Sequence, residues 1–521
     1  MEVIRREGDA LKIGKKKLTA DTLFKIVKGE KKEYLSFDLT FTISSILKEI
    51  VDNYEYVESI KEIKTSTQWT MIESPTVVYG FFTKACKWLN LTTMMGLDEN
   101  EEKTLESFKV DSTEKLYERA ESMDLTQMTL ASASVRTFKT YLETGKLTVL
   151  GKTYDSQKPT TVDEWRGYTV ADIPAIELIS RGGYRGGITW GRQGLYEHCT
   201  HIDRRSMYPT TASYYPMIYG LPHEKREESD LEVVRPTGVL FLKKGCIPMI
   251  GFANPVIFRR HAIKGRLGSL LTDVNLIGDL WFYKFEWDCI CEMYDFYGEI
   301  TESLFFSTKE PTHLRNFFET CYQIKSSTEK GSDEYISSKK RMNALYGRFA
   351  IRTLRKTVSY ANGLRHQVIK ETENLSSYHL PLGSLITAHA RTDLIRMAMK
   401  IGLEYVLYMD TDSIFFKREA FKNRDDMLKT CNIGKRMGDW DIEEENVSLN
   451  VIGPKTYQTL DKDHVTTKCA GLQNEVANGI GWMELYEGME VRVIKNRRGK
   501  DMVIRPSEQP HKISCRPVQI K

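Results

Sequence analysis

The chain has 521 residues, 41% of them hydrophobic and 28% charged, and a formal net charge of +4. That length is too great for one core and predicts several domains, while the near balance of charge rules out reading a nucleic-acid partner from bulk charge alone. Nine cysteines without a C-x-x-C pair argue against a zinc site or a disulfide framework and predict reduced thiols in a cytoplasmic setting. The charged start, "MEVIRREGDALKIGKKKL", and the lack of a long apolar run predict neither a signal segment nor a membrane partner.

Up to about residue 170 the pattern is mixed. "EYLSFDLTFTISSILKEIVDNYEYV" predicts a strand then a helix, "TVVYGFFTKACKWLNL" another apolar element, and "STEKLYERAESMDLTQMTLASASVRTFKTYL" a helix. "YDSQKPTTVDEW" reads as a linker. "RGGYRGGITWG" follows, where Gly182, Gly183, Gly186 and Gly187 flank Tyr184 and Arg185. It is either a hairpin turn or a place where backbone, ring and guanidinium meet a nucleic acid. Residues 223–312 mix strand-like and helix-like stretches. Residues 314–351 predict two helices broken around Gly331. Asn362-Gly363 lies between two alternating stretches and predicts a hairpin. The helical "LITAHARTDLIRMAMKIG" then leads into the strand "YVLYMDTDSIFFK".

That last strand poses a problem. Side chains two apart on a strand share a face, so Asp410 and Asp412 repel unless a turn separates them or a cation sits between them. Two more constellations precede it. In "HIDRRSMYPTTASYYP", Asp203 ends an apolar stretch; alone, this reads as a cap or surface charge. In "KKRMNALYGRF", Lys339, Asn343 and Tyr346 recur on one helical face, which alone reads as a solvated basic face. Together and in this order, three carboxylates and a cation suit nucleotidyl transfer. In that chemistry two Mg²⁺ ions, roughly 3.5–4 Å apart, stabilise the attacking and leaving oxygens. Lys339, with Lys325 on the preceding helix, supplies charge for a triphosphate.

The order and spacing resemble family B DNA polymerases. "DRRSMYP" is similar to their D-x-x-S-L-Y-P, with Met207 in place of Leu. "KKRMNALYG" is similar to K-x-x-x-N-S-x-Y-G, with Ala344 in place of Ser and with Lys339, Asn343, Tyr346 and Gly347 matching. "YMDTDS" matches Y-x-D-T-D-S. The likeness is to the protein-primed branch of phages and linear plasmids: "YRGG" (Tyr184, Arg185, Gly186, Gly187) resembles its linker motif, "KTY" (Lys455 to Tyr457) its K-x-Y, and "KCAG" its segment near the primer end. The resemblance covers about residues 172–475.

The resemblance implies an α+β multidomain, right-hand polymerase. Its parts would be an N-terminal exonuclease-like domain (1–171), palm (172–215 and 385–475), an insertion contacting the priming protein (216–312), fingers (313–351), a hairpin insertion (352–384) and a thumb (476–521). Asp203 and Asp412 are then the principal metal ligands, with the Arg204 carbonyl assisting and Asp410 supporting. The ions are Mg²⁺, with Mn²⁺ as the alternative. Tyr208 packs against the sugar and excludes a 2′-hydroxyl. Lys325, Lys339, Asn343 and Tyr346 bind the incoming nucleotide. Tyr184, Arg185, Gly186, Gly187, Gly347, Lys455, Tyr457 and Lys468 meet DNA. The implied partners are template and primer DNA, dNTPs and a terminal priming protein, around a monomer that displaces strands in a host cytoplasm. From Arg492 onward in the thumb, Arg492, Lys495, Arg497, Arg498, Lys500, Arg505, Lys512, Arg516 and Lys521 face only Asp501 and Glu508, as a phosphate-binding surface does.

One part of the family pattern is missing. Proofreading needs D-x-E, a middle Asp and Y-x-x-x-D. Asp38 is followed two later by Thr40, and Asp124 is preceded four earlier by Ala120. A shortened domain without proofreading is expected. Two alternatives stand beside the leading reading: a polymerase that extends only nucleic-acid primers, and a catalytically inactive DNA-binding scaffold.

Overall fold

The computed structural model describes residues 2–7, 10–17, 19, 32–37, 70–73, 78–82, 86–97, 101–125, 130–247, 274–277, 280–351, 354–361, 364–371, 378–470, 472, 474–498 and 504–513. The chain forms two compact units, each assembled from separated segments. The first holds Met1–Pro159, Thr320–Ser377 and Ile494–Glu508; the second holds Thr160–Glu319, Tyr378–Val493 and Gln509–Lys521. The boundary at Pro159 falls inside the expected linker. Its first part is a strand, Lys152–Ser156, and its end starts a helix. Thr161 caps Val162–Arg166 in a capping box with Glu164.

In the first unit a nine-stranded sheet runs from Lys16–Lys17 at one edge to Leu364–Glu371 at the other. The apolar element at 76–91 is two strands, Val78–Phe82 and Cys86–Asn90, followed by the short helix Leu91–Met95. The long helix expected at 112–142 is two helices, Thr113–Ser122 and Leu130–Thr144. Asp124 takes φ 52, and a left-handed residue cannot continue the helix. The hairpin expected around Asn362-Gly363 is present as Leu354–Ala361 paired antiparallel with Leu364–Glu371, the closing pair being Ala361 and Leu364. The two turn residues themselves, like Asp38 and Thr40, lie outside the described residues.

The helix Asp333–Phe349 has a clear inside and outside. Ser332 caps its start, and Ser337, Arg341, Met342, Leu345 and Phe349 are buried. Lys339, Asn343 and Gly347 are exposed on the opposite side, at the i, i+4, i+8 spacing of one face. Arg341 is fully buried, and it donates to the carbonyls of Met123 (3.0 Å) and Asp124 (2.8 Å) and to the Asp124 carboxylate (3.2 Å).

The second unit is built on a seven-stranded sheet whose central strands are Val406–Asp410, Ser413–Lys417, Gly194–Arg204 and Trp440–Gly453. One face packs Ile202, Met409, Ile414 and Phe416 against the helix Leu380–Ile401, through Leu394, Ile395 and Ala398. The other face carries Cys199, Tyr408, Phe415 and Leu449. This sheet therefore buries both faces, which explains the unbroken apolar runs on either side of its carboxylates. A separate antiparallel sheet pairs Leu231–Leu242 with Tyr294–Lys309 almost end to end. "RGGYRGG" is no hairpin: a helix, Ile173–Gly183, ends there, and a strand, Thr189–Gly191, begins after it.

Candidate active site

Sheet register gathers the carboxylates. Across adjacent strands Thr189 pairs with Asp410, Asp410 with Ser413, Ser413 with Asp203, and Asp203 with Asp441. Asp203, Asp410 and Asp441 thus lie in one row at one end of the sheet. Asp412 joins them because Asp410 ends its strand. The Asp412 amide donates to the Asp410 carbonyl (2.6 Å), closing a three-residue turn with Thr411 at φ 59. A β-branched residue at positive φ is strained and needs support. The support is the Thr411 amide on the Ile188 carbonyl (2.8 Å) and the Arg204 amide on the Asp412 carbonyl (2.8 Å). A turn therefore answers the puzzle posed by two carboxylates two residues apart.

The two turn carboxylates differ. Asp410 is satisfied within the protein: it accepts from Lys455 Nζ (2.7 and 3.0 Å), Thr189 Oγ1 (2.9 Å) and Thr411 Oγ1 (3.1 Å). Asp412 is pushed up to about 6, first by burial and then by the charge of Asp410. Among the described residues no three His, Cys, Asp or Glu side chains are gathered closely enough to hold a metal ion by themselves, so the oxygen donors here fit a divalent cation only as part of a ligand set completed from outside. Asp203 lies in the row beside this turn, and Asp410 is tied back by Lys455.

The glycine motif lies behind this turn. A Cβ on Gly187 would meet Thr411 Cγ2 and Oγ1 at 2.9 Å, so only glycine lets the loop pass. Arg185 sits differently from the expectation of DNA contact. It is 3% exposed and donates to the Trp281 carbonyl (3.0 Å) and to Glu286 (2.8 Å), its guanidinium stacked over Phe282. Arg391 donates to the other Glu286 oxygen (2.8 Å) and to the carbonyls of Arg185 (2.6 Å) and Gly186 (2.9 Å). Burial lowers Arg185 to about 10. Burial alone would raise Glu286, but the two guanidiniums outweigh it and hold the acid low. Arg185 therefore builds the framework, and its charge is turned inward. Tyr184 is half-buried in the same loop.

The remaining expected residues divide between the units. In the second, Tyr208 is half-buried near the start of the helix Met207–Tyr214, and Lys455 and Tyr457 wrap Tyr408: the Lys455 amide donates to its hydroxyl (3.0 Å), and the Tyr457 ring lies 4.7 Å away. Lys468 is exposed on the strand paired with Tyr457. In the first unit are Lys339, Asn343, Tyr346 and Gly347. There too is Lys325, its ammonium 5.3 Å from the Tyr322 ring. Sequence reading missed Arg391, Glu286, Thr189 and Asp441. A charge inside the apolar helix 380–401 was a signal for Arg391; Asp441 had none, because only sheet register places it beside Asp203. Of the thumb cations, Arg492 and Lys512 are exposed; Lys500, Arg516 and Lys521 lie outside the described residues. No helix among the described residues is long and apolar enough to cross a membrane.

Comparison with known proteins gives the frame. Residues 103–427 match the family of type B DNA polymerases, organellar and viral. The fold aligns with Phi29 DNA polymerase complexed with primer-template DNA at a TM-score of 0.72 and 17% identity, covering 96% of this chain and 94% of that one. The ternary complex of the same polymerase, with primer-template DNA and incoming nucleotide substrates, aligns at 0.71 and 17%, covering 97% and 94%. Its orthorhombic crystal form gives 0.71 and 17%, over 98% and 95%. No curated protein sequence matches. With the family matched over more than half of its length, the chain belongs to the organellar and viral type B DNA polymerases, as a DNA-directed DNA polymerase of α+β, multidomain polymerase fold.

Proposed function

We propose that this polymerase copies DNA by two-metal nucleotidyl transfer centred on Asp203 and Asp412. The observation that carries the reading is the register row that brings Asp203 beside the Asp410–Asp412 turn. Two divalent cations, Mg²⁺ or Mn²⁺, would supply Lewis-acid stabilisation of the attacking and leaving oxygens there. Asp203, Asp412 and the Arg204 carbonyl would hold these cations. Lys455 keeps Asp410 in place and leaves it a supporting role. Tyr208 borders the sugar. Lys339, Asn343 and Tyr346 bind the incoming nucleotide, with Lys325 assisting. Lys455, Tyr457 and Lys468 hold the primer. At Gly347 an added Cβ would meet nothing within 4 Å, so packing does not demand the glycine, and its contact with DNA is proposed on the motif alone. Primer extension with Mg²⁺ and dNTPs tests the core of this reading. Asp412→Ala is expected to lose at least about 10³-fold in rate while still binding primer-template. Undiminished extension by that variant would remove it.

Priming by a protein hydroxyl, with a terminal protein as partner, is the finer reading. The 217–309 sheet supports it by exposing, among the described residues, Tyr219, Leu221, Phe241, Tyr297 and Ile300, with Phe241 edge-on to Tyr297. Strand displacement is proposed on the place of the 354–371 hairpin. Absence of proofreading is supported by Asp124, whose carboxylate is engaged with buried Arg341. Trimming of a 3′-labelled mismatched primer would overturn that last point.

A further inference from the structure

The segment after Asp203 carries two arginines, and both are tied to a single surrounding frame. The Arg204 guanidinium donates to Asp393, and its Nε to the Gly438 carbonyl (3.2 Å). Arg205 is held on four sides. Its amide donates to the Asp439 carbonyl (3.0 Å), and its carbonyl accepts from the Gly438 amide (3.0 Å). Its Nε donates to the Gly434 carbonyl (2.9 Å), and its Nη2 pairs with Asp441 (2.6 Å). The loop 432–440 is fixed in turn: Asp439 accepts from Asn432 Nδ2 (3.1 Å) and the Arg436 amide (2.9 Å), and Trp440 is buried in the core.

What this frame grips is the helix Met207–Tyr214, which carries Tyr208. Ser206, between the arginines and the helix, stands at φ 55. One turn into the helix, Thr210 packs on Gly438, where a Cβ would meet Thr210 Cγ2 at 2.6 Å. At the far end the Tyr215 hydroxyl donates to Asp393 (2.6 Å), the same carboxylate that receives Arg204. The helix is thus tied at both ends, and the Arg205–Asp441 pair closes one of the ties at its start.

We propose that Arg205 and Asp441 are positioning residues for sugar selection: the latch they close on the 432–440 loop sets the placement of Tyr208 against the deoxyribose. This rests on the reading of Tyr208 as the group that borders the sugar. The main competing role is direct: Arg205 is 29% exposed on its side chain, and a partly exposed guanidinium can also bind phosphate. Asp441 separates the two roles. Neutralising it opens the latch, but it also frees the guanidinium for phosphate.

The experiment measures kcat and KM for a dNTP and its rNTP on one primer-template, in wild type, Arg205→Gln, Arg205→Lys, Asp441→Asn and Tyr208→Val. Primer-template affinity and melting temperature are measured alongside. The expected result is that Arg205→Gln and Asp441→Asn each relax ribose exclusion about tenfold, in the direction of Tyr208→Val, with DNA affinity unchanged and Arg205→Lys in between. Equal rises in KM for both nucleotides in Arg205→Gln, with a fall in Asp441→Asn, would overturn the proposal in favour of phosphate contact. Lower melting temperatures with unchanged discrimination would overturn it in favour of a purely structural pair. If Tyr208→Val leaves discrimination untouched, the reading of Tyr208 fails and the latch proposal fails with it. If Arg205→Gln does not fold, Asp441→Asn carries the test.

Discussion

Two clusters of buried charge lie within the second unit, and they are balanced in opposite ways. Around Glu286, two guanidiniums answer one carboxylate, and the acid is held low despite complete burial. Around Asp412, carboxylates gather on neighbouring strand ends, and the acid is pushed up to about 6. Lys455 answers Asp410, on the other side of the turn. A cluster whose single carboxylate is already answered twice within the protein has no use for a further cation and serves as framework. One that leaves negative charge standing in a partly desolvated place is built to receive a cation from outside. The glycine loop links the two, since Arg391 holds the carbonyls of Arg185 and Gly186, and Gly187 abuts Thr411.

The contrast breaks most visibly under mutation. Glu286→Ala leaves two buried guanidiniums without a counter-charge, and denaturant unfolding should show a loss of about 3–5 kcal/mol. Asp412→Asn should act in the other direction on metal-free protein. A carboxyl whose folded pKa is raised gives the fold its full stability below the unfolded value near 3.8, and loses it as pH rises through about 6. The variant should therefore match wild type near pH 3.8 and exceed it by about 3 kcal/mol above pH 7. Adding Mg²⁺ should narrow the gap by stabilising wild type alone. A destabilised Asp412→Asn at neutral pH would show that the cluster is balanced after all.

Smaller is the effect of two neutral histidines, buried His379 and half-buried His389, the second of which also feels the charge of Glu286. His389 is stacked between Tyr215 (3.8 Å) and Phe285 (4.1 Å), and His379 lies at the Tyr168 hydroxyl (3.3 Å). Burial is the first cause that lowers each to about 3. Below pH 6.5 the unfolded chain takes up protons that the fold refuses, so stability falls as pH falls, until about 3. At pH 5 each histidine should cost about 2 kcal/mol relative to pH 7. His389→Phe should remove its share of that slope, measured by urea midpoints at the two pH values.

These residues show what a sequence can and cannot carry. Asp203, Asp410 and Asp412 were legible as candidates because they follow fixed motifs, and the helix Asp333–Phe349 was legible because its spacing separates a buried from an exposed face. The turn at Thr411 was foreseen only as one of two ways to relieve repulsion. Arg185 misled because its neighbours look like a nucleic-acid loop, while its partners, Glu286 and Arg391, lie about 100 and 200 residues away and are joined to it only by packing. Asp441 was invisible for the same reason. Its meaning comes from the register that sets it opposite Asp203.

The helix Asp333–Phe349 offers the same lesson within a single element, and the smallest predicted change in stability. Arg341 and Lys339 are cations two residues apart on the helix Asp333–Phe349. Arg341 is buried and its donors are taken up by Met123 and Asp124, so it belongs to the framework as Arg185 does. Lys339 is exposed. Lys339→Ala should leave the unfolding free energy within about 0.5 kcal/mol of wild type, as an exposed substitution on a good helix position does. If the outward face of that helix meets the triphosphate, the same variant should raise the KM for dNTP at least about tenfold, with primer-template affinity unchanged. Steady-state kinetics beside a denaturation curve decides the point: a variant that unfolds easily would move Lys339 into the framework with Arg341, and one that is stable with an unchanged KM would leave that face a solvated one.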